Sequence, residues 1–336
     1  MGSNIVSLCC ALLAAVAFGP ARLFAAATPS PVLLILDKED SSLAIVDPAT
    51  KTVVSRVPTG EAPHEIAVSD DGKLAFTSNY GAKTPGHTLS VIDLVSQKEI
   101  HRVDLGPMGR PHGLAYWDGK LYFTAELAKL IGRYDPSANK VDWLLGTGQN
   151  GTHMILFTRS GDVAFTSNIG SNTVTAIAMS GNWEETIIPV GKGPEGIDMS
   201  PDGREVWSAS SRDGGISIID PATKTVKQTF NIGTRRSNRV KFTPDGDRVL
   251  VSDLAGNELV VIDAAMRTVI KRLQIGKQPE GILIVPTQQA GGDGPRAYVA
   301  VAGDNNVAIL DLNTFEVSGR IATGHGPDGM AWAVQK

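Results

Sequence analysis

The sequence predicts an all-β fold: a seven-bladed β-propeller with four antiparallel strands per blade, in which three N-terminal strands and one C-terminal strand share the closing blade. Three observations predict it. A short motif recurs seven times along the 336 residues, at about 40 to 48 residues per copy, the period of a repeat array. Between copies, apolar residues alternate or cluster at strand spacing, turn residues punctuate at regular intervals, and no helical period persists. The ends complement each other, since the chain opens on three strand patterns without the motif and finishes on a motif-bearing strand alone.

The first element lies outside the fold. Residues 5–18 are almost wholly apolar, and Ala25, Ala26 and Ala27 place small residues before Thr28 and Pro29, as in a secretory signal. No Lys or Arg precedes Arg22, so the basic start of such a signal is missing, but the apolar run is short for a membrane span. We expect a signal peptide over 1–27, a periplasmic or secreted protein, and no membrane span in the mature chain; a retained anchor is the alternative. Cys9 and Cys10 both fall in that segment. The domain over 28–336 is therefore cysteine-free and relies on a large core rather than on disulfides. A net charge of -4 is mild and argues against a nucleic-acid-binding protein.

The opening strands are expected at 33–36, 43–47 and 53–57, and the lone final strand at 329–334. In the fourth unit the strands fall at 197–200, 205–210, 215–220 and 226–232. Pro201-Asp202-Gly203 and Pro221-Ala222-Thr223-Lys224 supply the turns. The same beats recur as Leu74-Ala75-Phe76-Thr77-Ser78-Asn79, Val163-Ala164-Phe165-Thr166-Ser167-Asn168 and Ala297-Tyr298-Val299-Ala300-Val301 for second strands. Third strands read Leu89-Ser90-Val91-Ile92-Asp93, Leu259-Val260-Val261-Ile262-Asp263 and Val307-Ala308-Ile309-Leu310-Asp311. The Gly-rich insert 288–295 reads as a surface loop.

These blocks resemble the YVTN-type β-propeller repeat, with its YVTN-like strand, VSVID-like strand and GxxPxGIAVSPDG turn. The resemblance covers nearly the whole domain. It implies the fold and leaves function open, because propellers host unrelated activities.

In a propeller the first strand of each blade lines the axis, and the residue after the motif proline starts that strand at one rim. Through seven copies this position reads His64, His112, His153, Glu195, Asn238, Glu280 and Asp328. Second strands return to the same rim, bringing Tyr80, Glu126, Asn168, Asp253 and Asp304, and the blade-to-blade loops bring Arg110, Arg235, Arg236, Arg239 and His325. His87 belongs to the same side, and only His101, on an outer strand, lies elsewhere.

Imidazole with carboxylate is a suitable shell for a borderline transition metal, Zn, Cu, Fe or Mn. The metal candidates are His64, His112 and His153, brought together by the fold without local spacing. Glu195 and Glu280 are the candidate acid/base groups. Arg110, Arg236 and Arg239 suit a small anionic ligand, and Tyr80, Asn168, Asn238 and Asp328 complete the candidate binding set. A general resemblance to the streptogramin lyases and to the nitrous oxide reductase propeller lies in such a His/Glu mouth; the ring of seven His of the latter is lacking, so neither activity is implied.

Plainer readings stand beside these. Polar axis residues hydrate a channel mouth without chemistry. Arg235-Arg236 reads as a solvated loop, His87 and His325 as surface residues, and the five Trp as packing between blades. The sequence contains no P-loop, no Gly-x-Ser-x-Gly elbow, no His-Glu-x-x-His and no haem Cys-x-x-Cys-His. Two functions remain: a binding protein whose rim holds a small anion, peptide or protein partner with or without a metal, or a metal-dependent lyase, hydrolase or oxidase acting on a small anionic substrate.

Overall fold

In a computed structural model of the chain, residues 1, 27–287 and 294–336 are described. The expected signal peptide lies almost wholly outside the described residues, as does most of the 288–295 insert. Among the described residues, 28 strands form seven four-stranded antiparallel sheets. Helix is confined there to one short turn, Ala302–Asp304. No described helix is long and apolar enough to cross a membrane.

Six sheets are built from consecutive strands. The seventh joins the C-terminal strand Pro327–Ala333 to Val32–Asp37, Ser42–Asp47 and Thr52–Pro58, as the complementary ends predict. Val32 pairs with Ala333 and Leu33 with Trp332, so the last strand supplies the innermost strand that the first three lack and covers the edge of Val32–Asp37.

Burial explains the sequence pattern within a blade. Second and third strands are covered on both faces by neighbouring blades, and their side chains are buried in unbroken runs, as in Ala75 to Asn79 or Leu259 to Ile262. Outermost strands such as Lys140–Gly146 alternate between exposed and half-buried residues, the signature of one solvated face. The apolar clusters lie between blades. Trp207, Phe242 and Val249 knit the fourth blade to the fifth, and Leu33, Ile35, Tyr298 and Ile309 knit the closing blade to the sixth.

Turn chemistry repeats as well. Asp202 accepts from Ser200 Oγ at 2.6 Å and from Arg204 N–H at 3.0 Å, while Gly203 takes a φ of +69 to +80°-type left-handed geometry shared by Gly72 and Gly246. In six of the seven blades an Asp ends the third strand and binds the following turn in the same way, as Asp220 does to Ala222 and Thr223 N–H.

The innermost strands start at the motif itself, at Pro194 rather than 197 in the fourth blade. Each of the seven carries a register shift there. This bulge turns the motif residue toward the axis. Freed ladder groups find hydroxyls from second strands: Thr124, Ser167 and Ser252 donate to the carbonyls of His153, Glu195 and Glu280 in the next blade at 2.7, 3.2 and 2.8 Å. The following position is glycine in four copies because the next inner strand passes too close for a side chain. A Cβ on Gly113, Gly196, Gly281 or Gly329 would sit 2.5, 2.8, 2.1 or 2.3 Å from its backbone.

Gly281→Ala should therefore lower stability by about 1–3 kcal/mol, the usual cost of overpacking. Gly146→Ala, where an added Cβ meets nothing within 4 Å, should stay within about 0.5 kcal/mol of wild type. Urea unfolding of both variants checks this, and equal stabilities would remove the close-approach argument.

Candidate functional site

All seven motif residues line one cavity of about 220 Å³ at the axial mouth: His64, His112, His153, Glu195, Asn238, Glu280 and Asp328. Residues that leave second strands complete it, namely Lys38, Tyr80, Glu126, Ile169 and Leu254, together with Arg236 and Arg239. Seven sheets thus concentrate chemistry that is spread over most of the chain.

One side of the cavity is aromatic and imidazole-rich. The rings of His112 and His153 lie 3.7 Å apart, with His64 5.2 Å from His112 and Tyr80 4.5 Å from His64. His153 Nδ1 meets Glu126 Oε1 at 2.5 Å, and the Tyr80 hydroxyl donates to Glu126 Oε2 at 2.7 Å. With Nδ1–H given to a carboxylate, the His153 lone pair is left on Nε2, which is buried without a partner. His64 donates from Nδ1 to Ala62 O at 2.9 Å, which likewise leaves its Nε2 lone pair. His112 Nδ1 is also buried without a partner, as is Glu195 Oε2, while Glu195 Oε1 accepts from Asn238 Nδ2 at 2.8 Å.

Burial, then the charges of Lys38 and Arg239, lowers the pKa of His64 to about 4. Burial and the neighbouring imidazoles hold His112 well below the usual histidine range. Both rings are therefore neutral near pH 7. Burial opposes the ionisation of Glu126, but the hydrogen bonds from His153 and Tyr80 pull its carboxyl below the ordinary value.

One nitrogen each from His112 and His153 and one oxygen of Glu126 lie within 4.8 Å of one another. Here the structure departs from the set expected from sequence, because Glu126 joins His112 and His153 while His64 stands just outside. Both Glu126 oxygens are already engaged, however. Through the hydrogen bond to Nδ1 it orients the His153 ring.

The opposite side is an ion network. Lys38 pairs with Glu280 and lies 3.3 Å from Asp328. Arg239 pairs with Glu65 across the axis, donates to Asn238 Oδ1 at 3.1 Å and lies 3.8 Å from Asp328. Burial disfavours the Lys38 ammonium, yet Asp328 and Glu280 more than offset this and hold its pKa above the ordinary value. Burial and then the Asp328 charge raise Glu280 to about 7. Burial also raises Glu65, in spite of Arg239.

The candidate ligand-binding residues divide. Tyr80, Asn238 and Asp328 line the cavity. Arg239 does too, but its guanidinium is committed to Glu65 and Asn238, so it closes the cavity floor instead of receiving an anion. Arg236 is an exposed residue of the rim with its N–H on Asp253 Oδ1 at 2.8 Å. Arg110 lies outside the cavity, its guanidinium 4.5 Å above the Tyr80 ring. Asn168 is not at the mouth. It is fully buried in its blade, donating to Thr173 and Thr175 Oγ1 at 3.0 and 2.9 Å. The pleat sends the next residue, Ile169, to the cavity instead. Asp253 and Leu254 divide in the same way. His87 and His325 are exposed partners of Asp104 and Asp40. Sequence reasoning missed Lys38 and Glu65; the signal for Lys38 was its position directly after Asp37, matching Tyr80 after Asn79.

Comparison with known proteins finds a match to the family model of the cytochrome D1 heme domain over residues 146–288. Antigen Lp49 from Leptospira interrogans is 22% identical over 211 residues, covering 56% of this chain and 44% of that protein; the chain thus spans less than half the length of this relative. Among solved structures, hydrazine synthase from Kuenenia stuttgartiensis shares 20% identity at a TM-score of 0.67, over 80% of this chain and 88% of that one. A candidate 6-phosphogluconolactonase from Bacteroides uniformis shares 14% at 0.74, over 90% and 99%. A functionally unknown protein from Desulfotomaculum acetoxidans shares 14% at 0.74, over 91% and 100%. At these identities the likeness is one of fold, and it bears out the propeller resemblance read from the repeats.

The raised pKa of Glu280 has a signed consequence. Its folded carboxyl keeps a proton from its ordinary 4.5 up to about 7, whereas the unfolded one does not. Its contribution to stability is present below about 4.5 and is lost as pH rises through about 7. Compared with Glu280→Gln, wild type should lose stability over that window; Lys38, Asp328 and Arg239 face the group and are common to both proteins. Unfolding series from pH 5 to 8 that run parallel for the two proteins would show that Glu280 does not titrate there.

Proposed function

We propose that the protein is a ligand-binding propeller that holds one divalent transition-metal ion, Zn, Cu, Fe or Mn, at its axial mouth and there binds a small anionic molecule. One observation supports this reading above the rest: His112 Nδ1, His153 Nε2 and Glu195 Oε2 are buried without partners, and all three residues line the same cavity. Folded proteins leave few such atoms, since each costs about 1–3 kcal/mol. Neutral imidazole with carboxylate is a donor set for a borderline metal. His112 and His153 would ligate, His64 stands next to them with a free Nε2, and Glu126 holds the His153 ring. The proposal includes the signal peptide over 1–27 and export of the domain over 28–336, for which the apolar leader and the cysteine-free domain speak.

The partial match to a haem-domain model raises a second cofactor, which the residues do not fit. A tetrapyrrole needs a broad apolar slot. The axial cavity is about 220 Å³, lined by polar or charged residues except for Ile169 and Leu254, and it falls below the range of about 300–1,000 Å³ of organic-ligand pockets. No step is derived through haem.

Glu280 favours a second reading, a metal-dependent lyase, hydrolase or oxidase. A carboxyl that titrates near 7 can take and return a proton at working pH, and Glu280 faces the same small cavity as the imidazoles.

Protein stripped of metal and then incubated with Zn, Cu, Mn or Fe should retain about one equivalent of at least one of them by elemental analysis. His112→Ala/His153→Ala should lower that affinity on the order of a hundredfold or more, and Glu126→Gln by about 10–100-fold, with the melting temperature of the metal-free protein little changed. Protein that takes up none of the four ions, or a double variant that binds as wild type does, ends the metal reading.

A further inference from the structure

A second pocket, of about 400 Å³, opens beside the axial cavity, and Lys38, His64 and Tyr80 belong to both. Its remaining wall is small, apolar at Ala62, Gly81 and Ala82 and polar at Ser41, with Arg110 on one side and the exposed Glu39 and Glu61 on the rim. The wall is fixed by backbone. Ala62 O accepts from Tyr80 N–H at 3.2 Å and from His64 Nδ1 at 2.9 Å, Gly81 N–H donates to Glu61 O at 2.9 Å, and Arg110 N–H donates to Gly86 O at 2.8 Å. Gly81, at φ +80°, permits this, since a Cβ there would lie 2.1 Å from Gly86 N.

Arg110 differs from the two buried cations of this mouth, Lys38 and Arg239. Lys38 is neutralised by Glu280 and Asp328, and Arg239 by Glu65. The Arg110 guanidinium lies over the Tyr80 ring, hydrogen-bonds the Tyr80 side chain and donates to Ala82 O at 3.4 Å; among the described residues no carboxylate pairs with it. A guanidinium held over a ring and left without a counterion can present its fork to a planar oxyanion. Glu39 and Glu61 on the rim would repel a dianion more than a monoanion.

We propose that this vestibule is the subsite for the body of the ligand, and that the ligand is a planar organic monocarboxylate of about one ring. Its carboxylate pairs with Arg110, its apolar body lies against Ala62, Ala82 and Tyr80, and its far end passes His64 into the axial cavity. The proposal rests on the reading above in taking the axial mouth as the binding site. It deepens that reading by naming the ligand class, and it does not need the metal. The vestibule lies inside the usual range of organic-ligand volumes, about 300–1,000 Å³, and the inner cavity below it, so the body belongs outside and only a small end within.

Benzoate is the probe, followed by calorimetric titration, with inorganic phosphate and benzyl alcohol as comparison ligands. Benzoate should saturate one site and bind at least tenfold more tightly than either. Arg110→Gln should weaken it at least tenfold. Ala82→Trp, which fills the vestibule from an exposed position, should abolish it with the melting temperature little changed. Absence of saturable benzoate binding, phosphate or benzyl alcohol binding as tightly, or benzoate affinity unchanged in both variants would overturn the proposal. His112→Ala/His153→Ala separates the two readings. Arg110-dependent benzoate binding in a protein that holds no metal leaves the vestibule standing and removes the metal. Metal uptake without benzoate binding does the reverse.

Discussion

The bulge at the start of each innermost strand is the constraint on which the site depends. A regular ladder would send the motif residue into the space between blades. The register shift instead turns it to the axis, and that choice leaves backbone groups to be satisfied. The second-strand hydroxyls of Thr124, Ser167 and Ser252 do so by reaching across to the next blade. The same atoms therefore set the side chain's direction and fasten neighbouring blades together. Where the motif proline is replaced, at Thr152 and Ser237, a hydroxyl pair with Thr147 or Thr234 at 2.7 Å holds the approach. The device survives the loss of its most visible residue.

Once seven such side chains share about 220 Å³, their charges must be resolved. On one side the resolution is internal: Lys38 and Arg239 meet Glu280, Asp328 and Glu65. Removing one member of such a buried pair strands the other at a cost of about 3–5 kcal/mol, so this side behaves as structure. On the other side Glu126 collects Tyr80 and His153, while His112 Nδ1, His153 Nε2 and Glu195 Oε2 remain without partners. The fold satisfies backbone groups at the bulges and leaves these three atoms open, as it does Asp328 Oδ1, which lies 3.8 Å from Arg239 without a hydrogen bond. Unpartnered polar atoms gathered in one cavity argue for a ligand more strongly than any single residue does.

Much of this was legible in the sequence. Seven blades, the shared closing blade and the ring running from His64 to Asp328 all follow from a repeat, and a repeat fixes equivalence between distant positions. What failed was counting by one. Asn168 aligns with Asn79, not with Tyr80, and a one-residue offset in a pleated strand exchanges the cavity for the blade interior. Lys38 escaped because the opening strands carry no motif to align. The roles of Arg239 and Glu126 were out of reach for another reason. Whether a charged residue meets a ligand or a partner depends on what stands across the axis, and Glu65 lies 174 positions from Arg239.

The site therefore resides in departures from the repeat. Four copies follow the motif residue with glycine, and a neighbouring strand fills the space. At Glu65 and Arg239 a charged side chain occupies that position instead, and the two meet over the axis to close the floor. A channel open at both ends could pass solvent or ions. With this pair beneath it, the cavity is reached from the mouth where Tyr80, Arg110 and His64 stand. Burial of an ion pair is a poor way to gain stability, and a glycine at both positions would match four of the five remaining copies. The placement is better explained by what it does to the cavity: it sets an ion pair beneath a chamber lined on one wall by imidazoles and on the other by an ion network.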